Sequence, residues 1–77
     1  RKISVEGHAS RERAEQEAYN QNLSERRARA VASALEGSGV ERDHVVAQGF
    51  GTRFPVASNE TEEGRRTNRR VEVIVEN

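Results

Sequence analysis

Residues 2–6, Lys-Ile-Ser-Val-Glu, alternate polar and apolar positions, with Ile3 and Val5 on one face and Gly7 immediately after. A period of two over such a span predicts a short half-buried strand. Residues 8–20 have few apolar positions and no clean period, which predicts a loop running into an early helical turn near Ala18 and Tyr19. The helical period follows. Asn22 has N-cap chemistry, Glu25 stands three residues on as its capping-box partner, and Gly37 and Gly39 supply a stop, so the main helix is expected from Asn22 to about Glu36. With Leu23 at zero, Ala34 falls at about 20°, Ala30 at about 340°, Val31 at about 80° and Leu35 at about 120°, one apolar stripe with Arg27 at about 40° in its middle. Leu23 is therefore expected in the core, and Arg26 and Arg29 point away from it.

Beyond the glycines, Glu41-Arg42-Asp43 predicts a single turn and Val45-Val46-Ala47-Gln48 a second strand, closed by Gly49-Phe50-Gly51. Residues 52–70 form a long polar connection with the single proline, Pro55, and its length predicts a short helix around Glu62 to Arg66. The β-branched run Val71-Glu72-Val73-Ile74-Val75 closes the pattern as a third strand, its odd positions facing one way. No internal repeat and no linker interrupts the chain, so residues 1–77 read as a single domain.

Composition narrows the function classes. In 77 residues with 32% hydrophobic content, two Phe, one Tyr and no Trp or Met, the core must be thin. Thirteen basic and thirteen acidic side chains cancel, which argues against a general polyanion binder such as a nucleic-acid protein. Without cysteine there is no disulfide and no thiol nucleophile. No apolar run approaches the roughly 20 residues of a membrane span. His8 and His44 lack metal-ligand spacing and are expected at the surface or hydrogen-bonded; no metal and no cofactor is expected. Ser10 and Ser24 sit in nothing that resembles a nucleophile elbow, and Ser24 is expected to cap the first helical turn, so the chain reads as non-enzymatic.

Gly7-His8-Ala9-Ser10 at a strand end, then Asn20-x-x-Leu23-Ser24-x-x-Arg27-Ala28-x-x-Val31, resembles the signature of the OmpA-like, peptidoglycan-binding domain family. Gly49-Phe50-Gly51, Pro55, Asn59-x-Thr61-x-x-Gly64-Arg65 and Asn68-Arg69-Arg70-Val71-Glu72 are similar to its later half. The resemblance implies an α/β two-layer sandwich, helices on one face of a small mixed β-sheet. It also implies an N-terminally incomplete copy, because the family opens with a further strand and helix. The implied function is non-catalytic anchoring of an envelope protein to the cell wall. The implied partner is the peptide stem of peptidoglycan, through its diaminopimelate residue, at the periplasmic face of the bacterial outer membrane, in a membrane-anchored parent. An OmpA-like fold that binds a protein partner of the envelope instead is the alternative.

The resemblance gives Arg27 the diaminopimelate carboxylate. A guanidinium on an inner helix face is costly to bury unpaired in any case, so an internal ion pair with Glu6, Glu12 or Glu72, or snorkelling to the sheet edge, remains the other reading. Where the family has Asp to receive the diaminopimelate ammonium, this chain has Ser10, and the loop from there to Asn20 is about two residues longer than the family's. Glu12, eight residues before Asn20, is a candidate to supply the missing charge. Asn20 is a further candidate contact, or simply a cap of the early turn, and Leu23 a candidate wall. Four arginines in six residues, Arg65, Arg66, Arg69 and Arg70, offer phosphate chemistry, but Glu60, Glu62 and Glu63 beside them favour local pairing, with Arg69 framing one wall of an anion pocket.

Overall fold

The computed structural model describes residues 2–12 and 16–76. Strand β1 (Lys2–Gly7) is followed by helix α1 (Glu17–Gly37), a 3-10 turn at Arg42–His44, strand β2 (Val45–Gly49), helix α2 (Glu62–Asn68) and strand β3 (Val71–Glu76). The sheet order is β2-β1-β3, with β1 parallel to β2 and antiparallel to β3. The expected two-layer α/β architecture on a small mixed sheet is present. The central strand is β1, so its alternation sets both neighbours: Val5 opposes Ala47 on one side and Val73 on the other.

The α1 layer differs from the helix the sequence predicts in both its start and its buried face. It begins at Glu17, whose carboxylate suits the positive end of the helix dipole, and Asn22 lies inside it, exposed, with no capping box. Residues 13–15, which carry part of the longer loop, lie outside the described residues. The buried stripe is Asn20, Ser24, Ala28 and Ala32 at a strict spacing of four, with Val31 and Leu35 beside it. Ala30 and Ala34 are exposed, Leu23 is half-buried outside the core cluster, and Arg27 is half-buried at the margin of the stripe. Ser24 caps nothing; it is fully buried two turns into the helix.

The cause lies in the strands. A Cβ on Gly7 would stand 2.0 Å from the Ser24 carbonyl oxygen, and one on Gly49 would stand 2.4 Å from the Glu25 amide nitrogen. Gly7 and Gly49 are register partners, so α1 rests on two adjacent backbones at one level. Only small side chains fit under a helix that close, which selects the Ser24-Ala28-Ala32 row over the larger Leu23. The helix ends where its pattern says: Ser38 bonds the Ala34 carbonyl through its hydroxyl at 2.9 Å, and Gly39 turns the chain with φ of 109°.

α1 lies over β1 and β2 and barely touches β3. Val73 and Val75 share the inner face with Val5 yet stay 47% and 53% exposed. Helix α2 sits in the connection before β3, capped by Thr61, whose hydroxyl accepts the Gly64 amide at 3.0 Å.

The contact at Gly7 yields a stability prediction. Gly7→Ala sets a methyl against helix backbone that cannot turn aside, and should cost at least about 2 kcal/mol, toward the upper range for overpacking. Gly37→Ala meets nothing within 4 Å and removes a poor helix former, so it should be neutral or stabilise by up to about 1 kcal/mol. Urea denaturation of both variants measures the difference; equal midpoints would contradict the close approach.

Candidate functional site

The chain after β1 is bound on both sides by backbone. The His8 amide donates to the Arg70 carbonyl at 2.8 Å and the Ala9 amide to the Gly51 carbonyl at 2.8 Å. The Arg11 amide donates to Asn59 Oδ1 at 3.2 Å. Residues 7–10 are all buried as a result. Ser10, 3% exposed, presents two groups: its carbonyl accepts from Asn20 Nδ2 at 3.4 Å and its hydroxyl from Arg69 Nη1 at 3.3 Å. Three of the residues singled out in the sequence, Ser10, Asn20 and Arg69, thus meet at the end of β1. Asn20 is part of the helix rather than a cap of an isolated turn, and its amide ties the loop to α1.

Arg27 stands on the same flank of α1, seven residues beyond Asn20, with Leu23 between them. Among the described residues it makes no hydrogen bond or ion pair, and of the anticipated carboxylates Glu6 projects from the sheet face away from α1. Glu72 accepts from Arg70 Nε, and Glu12 is exposed without a bond among the described residues. The arginine cluster pairs locally. Arg69 Nη2 bonds Glu62 at 2.6 Å, Arg65 bonds Glu62 at 3.3 Å and the Asn59 carbonyl at 2.9 Å. The hydrogen bond from Arg69, and then its charge, hold the Glu62 carboxyl below its usual range.

Four residues have structural roles that the sequence reading did not assign to them. Asn68, fully buried, uses its whole amide: Oδ1 accepts from the Val56 and Ala57 amides at 2.8 and 3.0 Å, and Nδ2 donates to the Ala57 carbonyl and Asn59 Oδ1 at 3.0 and 2.8 Å. It pins the 52–61 connection to α2 and so fixes Asn59 under Arg11. Gly64 permits that fold, since a Cβ there would stand 1.8 Å from the Ser58 carbonyl oxygen. Ser24 accepts the Gly51 amide at 2.9 Å, and Gln21 Nε2 donates to the Gly49 carbonyl at 2.6 Å, so α1 grips both glycines around Phe50. The signal available in advance was the Gly-Phe-Gly spacing and an Asn ending a helix; neither names its partner.

The His8 side chain is not at the surface, and among the described residues it is not hydrogen-bonded. It is 3% exposed, both ring nitrogens lack a partner among the described residues, and its ring stacks on Phe50 at 5.6 Å, with Phe54 edge-on at 6.4 Å. Burial, and after it the Arg70 charge, lower its pKa, while Glu72 and Glu6 work against that. The Glu72 carboxyl is lowered chiefly by its hydrogen bond from Arg70. His44, by contrast, is exposed beside Glu41.

Comparison with known proteins places this arrangement. Outer membrane porin F of Pseudomonas aeruginosa is 53% identical over 74 residues, covering 95% of this chain and 21% of that protein. The peptidoglycan-binding protein ArfA of Mycobacterium tuberculosis is 49% identical over 59 residues, covering 77% of this chain and 18% of that protein. The chain therefore spans about a fifth of the length of these relatives. The crystal structure of the peptidoglycan-associated lipoprotein from Burkholderia pseudomallei superposes with a TM-score of 0.87 at 30% identity, over 95% of this chain and 60% of that one. With the OmpA family model matching residues 1–69, the chain belongs to the OmpA family.

Proposed function

We propose that this chain is a non-catalytic module that binds peptidoglycan through its peptide stem and anchors an envelope protein to the cell wall. Relatives named as a peptidoglycan-binding protein, a peptidoglycan-associated lipoprotein and an outer membrane porin support the wall, the envelope and the outer-membrane setting. The observation that carries the reading is Arg27, a half-buried arginine with no counterion among the described residues. A permanently charged, planar fork in that position suits a carboxylate ligand, and diaminopimelate offers one.

The ammonium of diaminopimelate meets a different environment. Ser10 is uncharged, and its hydroxyl oxygen already accepts from Arg69. Affinity for diaminopimelate is therefore set mainly by its carboxylate, and is weaker than in an equivalent site with a carboxylate at this position. A second reading, a protein-interaction module, is favoured by β3, whose Val73, Ile74 and Val75 are all exposed on an edge strand, the chemistry of strand addition.

Two measurements test the wall reading. Arg27→Ala should lower binding to insoluble peptidoglycan by about tenfold or more, the scale of one charge-assisted hydrogen bond, while Arg29→Ala leaves it unchanged. Equal binding by a folded Arg27→Ala variant would sink the reading. Ser10→Asp should tighten diaminopimelate about threefold to thirtyfold, nearer the lower figure because Arg69 would neutralise part of the new charge. Calorimetric titration of the parent, Ser10→Asp and Glu12→Gln separates the cases. Loss of affinity in Glu12→Gln would mean that Glu12, not an uncharged site, meets the ammonium.

A further inference from the structure

The sheet face away from α1 carries a second constellation, separate from Ser10, Asn20 and Arg27. Glu6 and Glu72 are register partners on β1 and β3 and project from that face by strand alternation. His8 follows two residues after Glu6 with the same parity. One donor atom from each of Glu6, His8 and Glu72 lies within 4.8 Å of the others, and His8 Nε2 is 3.9 Å from Glu72 Oε2. With Phe50, Phe54 and Arg70 they line a cleft of about 280 Å³.

We infer that Glu6, His8 and Glu72 form a binding site for a divalent transition-metal ion, with Zn2+ as the ion that suits the donors. A bare pair of surface glutamates would carry no such inference. The decisive observation is His8: its side chain is 4% exposed, faces this cleft, and leaves both nitrogens without a hydrogen-bond partner among the described residues. Buried polar atoms are ordinarily satisfied, and an imidazole nitrogen beside two carboxylates is a donor set for a metal.

The surroundings favour it. Stacking on Phe50 and the edge contact with Phe54 fix the ring plane, so one ligand is pre-oriented. Arg70 Nε bonds Glu72 Oε2, the oxygen that faces His8 Nε2, while Arg70 is itself held by the Asn68 and Phe54 carbonyls; this outer-sphere contact orients the carboxylate, and rotation of the carboxylate offers Oε1 to the ion. Two carboxylates neutralise Zn2+, and three protein ligands leave the fourth tetrahedral position to water. Zinc–oxygen and zinc–nitrogen distances of about 2.0–2.2 Å require the donors to close from their present separation, which the two half-buried glutamates can do by rotation. Arg70 sets a cost in charge, which weakens the site relative to one without a cation beside it.

The test is titration of the full chain with Zn2+ alone, followed by calorimetry and by the imidazole nitrogen resonances of His8. One saturable site should appear, with His8 resonances shifting and those of His44 unmoved, and Mg2+ at the same concentration should do nothing. His8→Phe, which keeps an aromatic ring against Phe50, and Glu72→Gln should each weaken binding at least about tenfold, with Glu6→Gln as a third variant that leaves the aromatic stack intact. His44→Ala should bind as the parent does. No saturable binding at millimolar Zn2+, undiminished binding in His8→Phe, loss in His44→Ala, or equal binding of Mg2+ would each overturn the site.

Discussion

The contact between α1 and the paired backbones at Gly7 and Gly49 governs the rest of the structure. With no side chain at either position, the helix comes close enough for its own carbonyl and amide groups at Ser24 and Glu25 to lie against the strands. That closeness decides which residues form the core. In place of large aliphatic side chains, Ala28 and Ala32 pack on Val5, and Val31, Leu35, Ile3, Val45 and Ala47 close the margins. A thin core of this kind relies on backbone approach and on polar bonds placed between helix and strand. Ser24 to Gly51 and Gln21 to Gly49 are two of those bonds.

The same contact positions both candidate sites. By clamping Gly49 and Gly51, α1 fixes Phe50 between them, and Phe50 holds the His8 ring on the far face of the sheet. By docking Asn20 on the Ser10 carbonyl, α1 brings its Arg27 flank to the same side as the loop after β1. Asn68 completes the frame from the other direction, organising residues 56–59 so that Asn59 receives the Arg11 amide. The buried polar side chains Ser24, Asn20 and Asn68 are therefore structural connectors, each satisfied by backbone groups far away in sequence.

Charge follows the same logic. The net balance of the chain conceals local pairing, since Glu62 serves Arg65 and Arg69 while Glu72 serves Arg70. Glu62 is exposed and Glu72 only half-buried, so these pairs contribute modestly to stability. Their larger effect is orientation: Arg69 is directed at Ser10 and Arg70 at the carboxylate beside His8. Arg27 makes no such pair among the described residues, as is true also of Arg26, Arg29 and Arg66, and differs from them in being half-buried.

The residues alone determined the three strands, the short helix before β3, the stop of the long helix at its glycines, and the family, because period-two and period-3.6 patterns and glycine punctuation are local signals. They also picked out Ser10, Asn20 and Arg69, which the fold brings together. Tertiary structure decided where α1 begins and which face it buries. Leu23 outranks Ser24 on any hydrophobic scale, yet a helix lying on glycine backbone has room for serine and alanine and not for leucine. It also decided the fate of His8, since the aromatic rings packed on it come from the connection after β2, and the glutamate that faces it from β3. Ser24 meets Gly51 across 27 residues, and Ser10 meets Arg69 across 59. A pattern read within one turn or one strand cannot encode a partner at that separation; the close approach of backbones does.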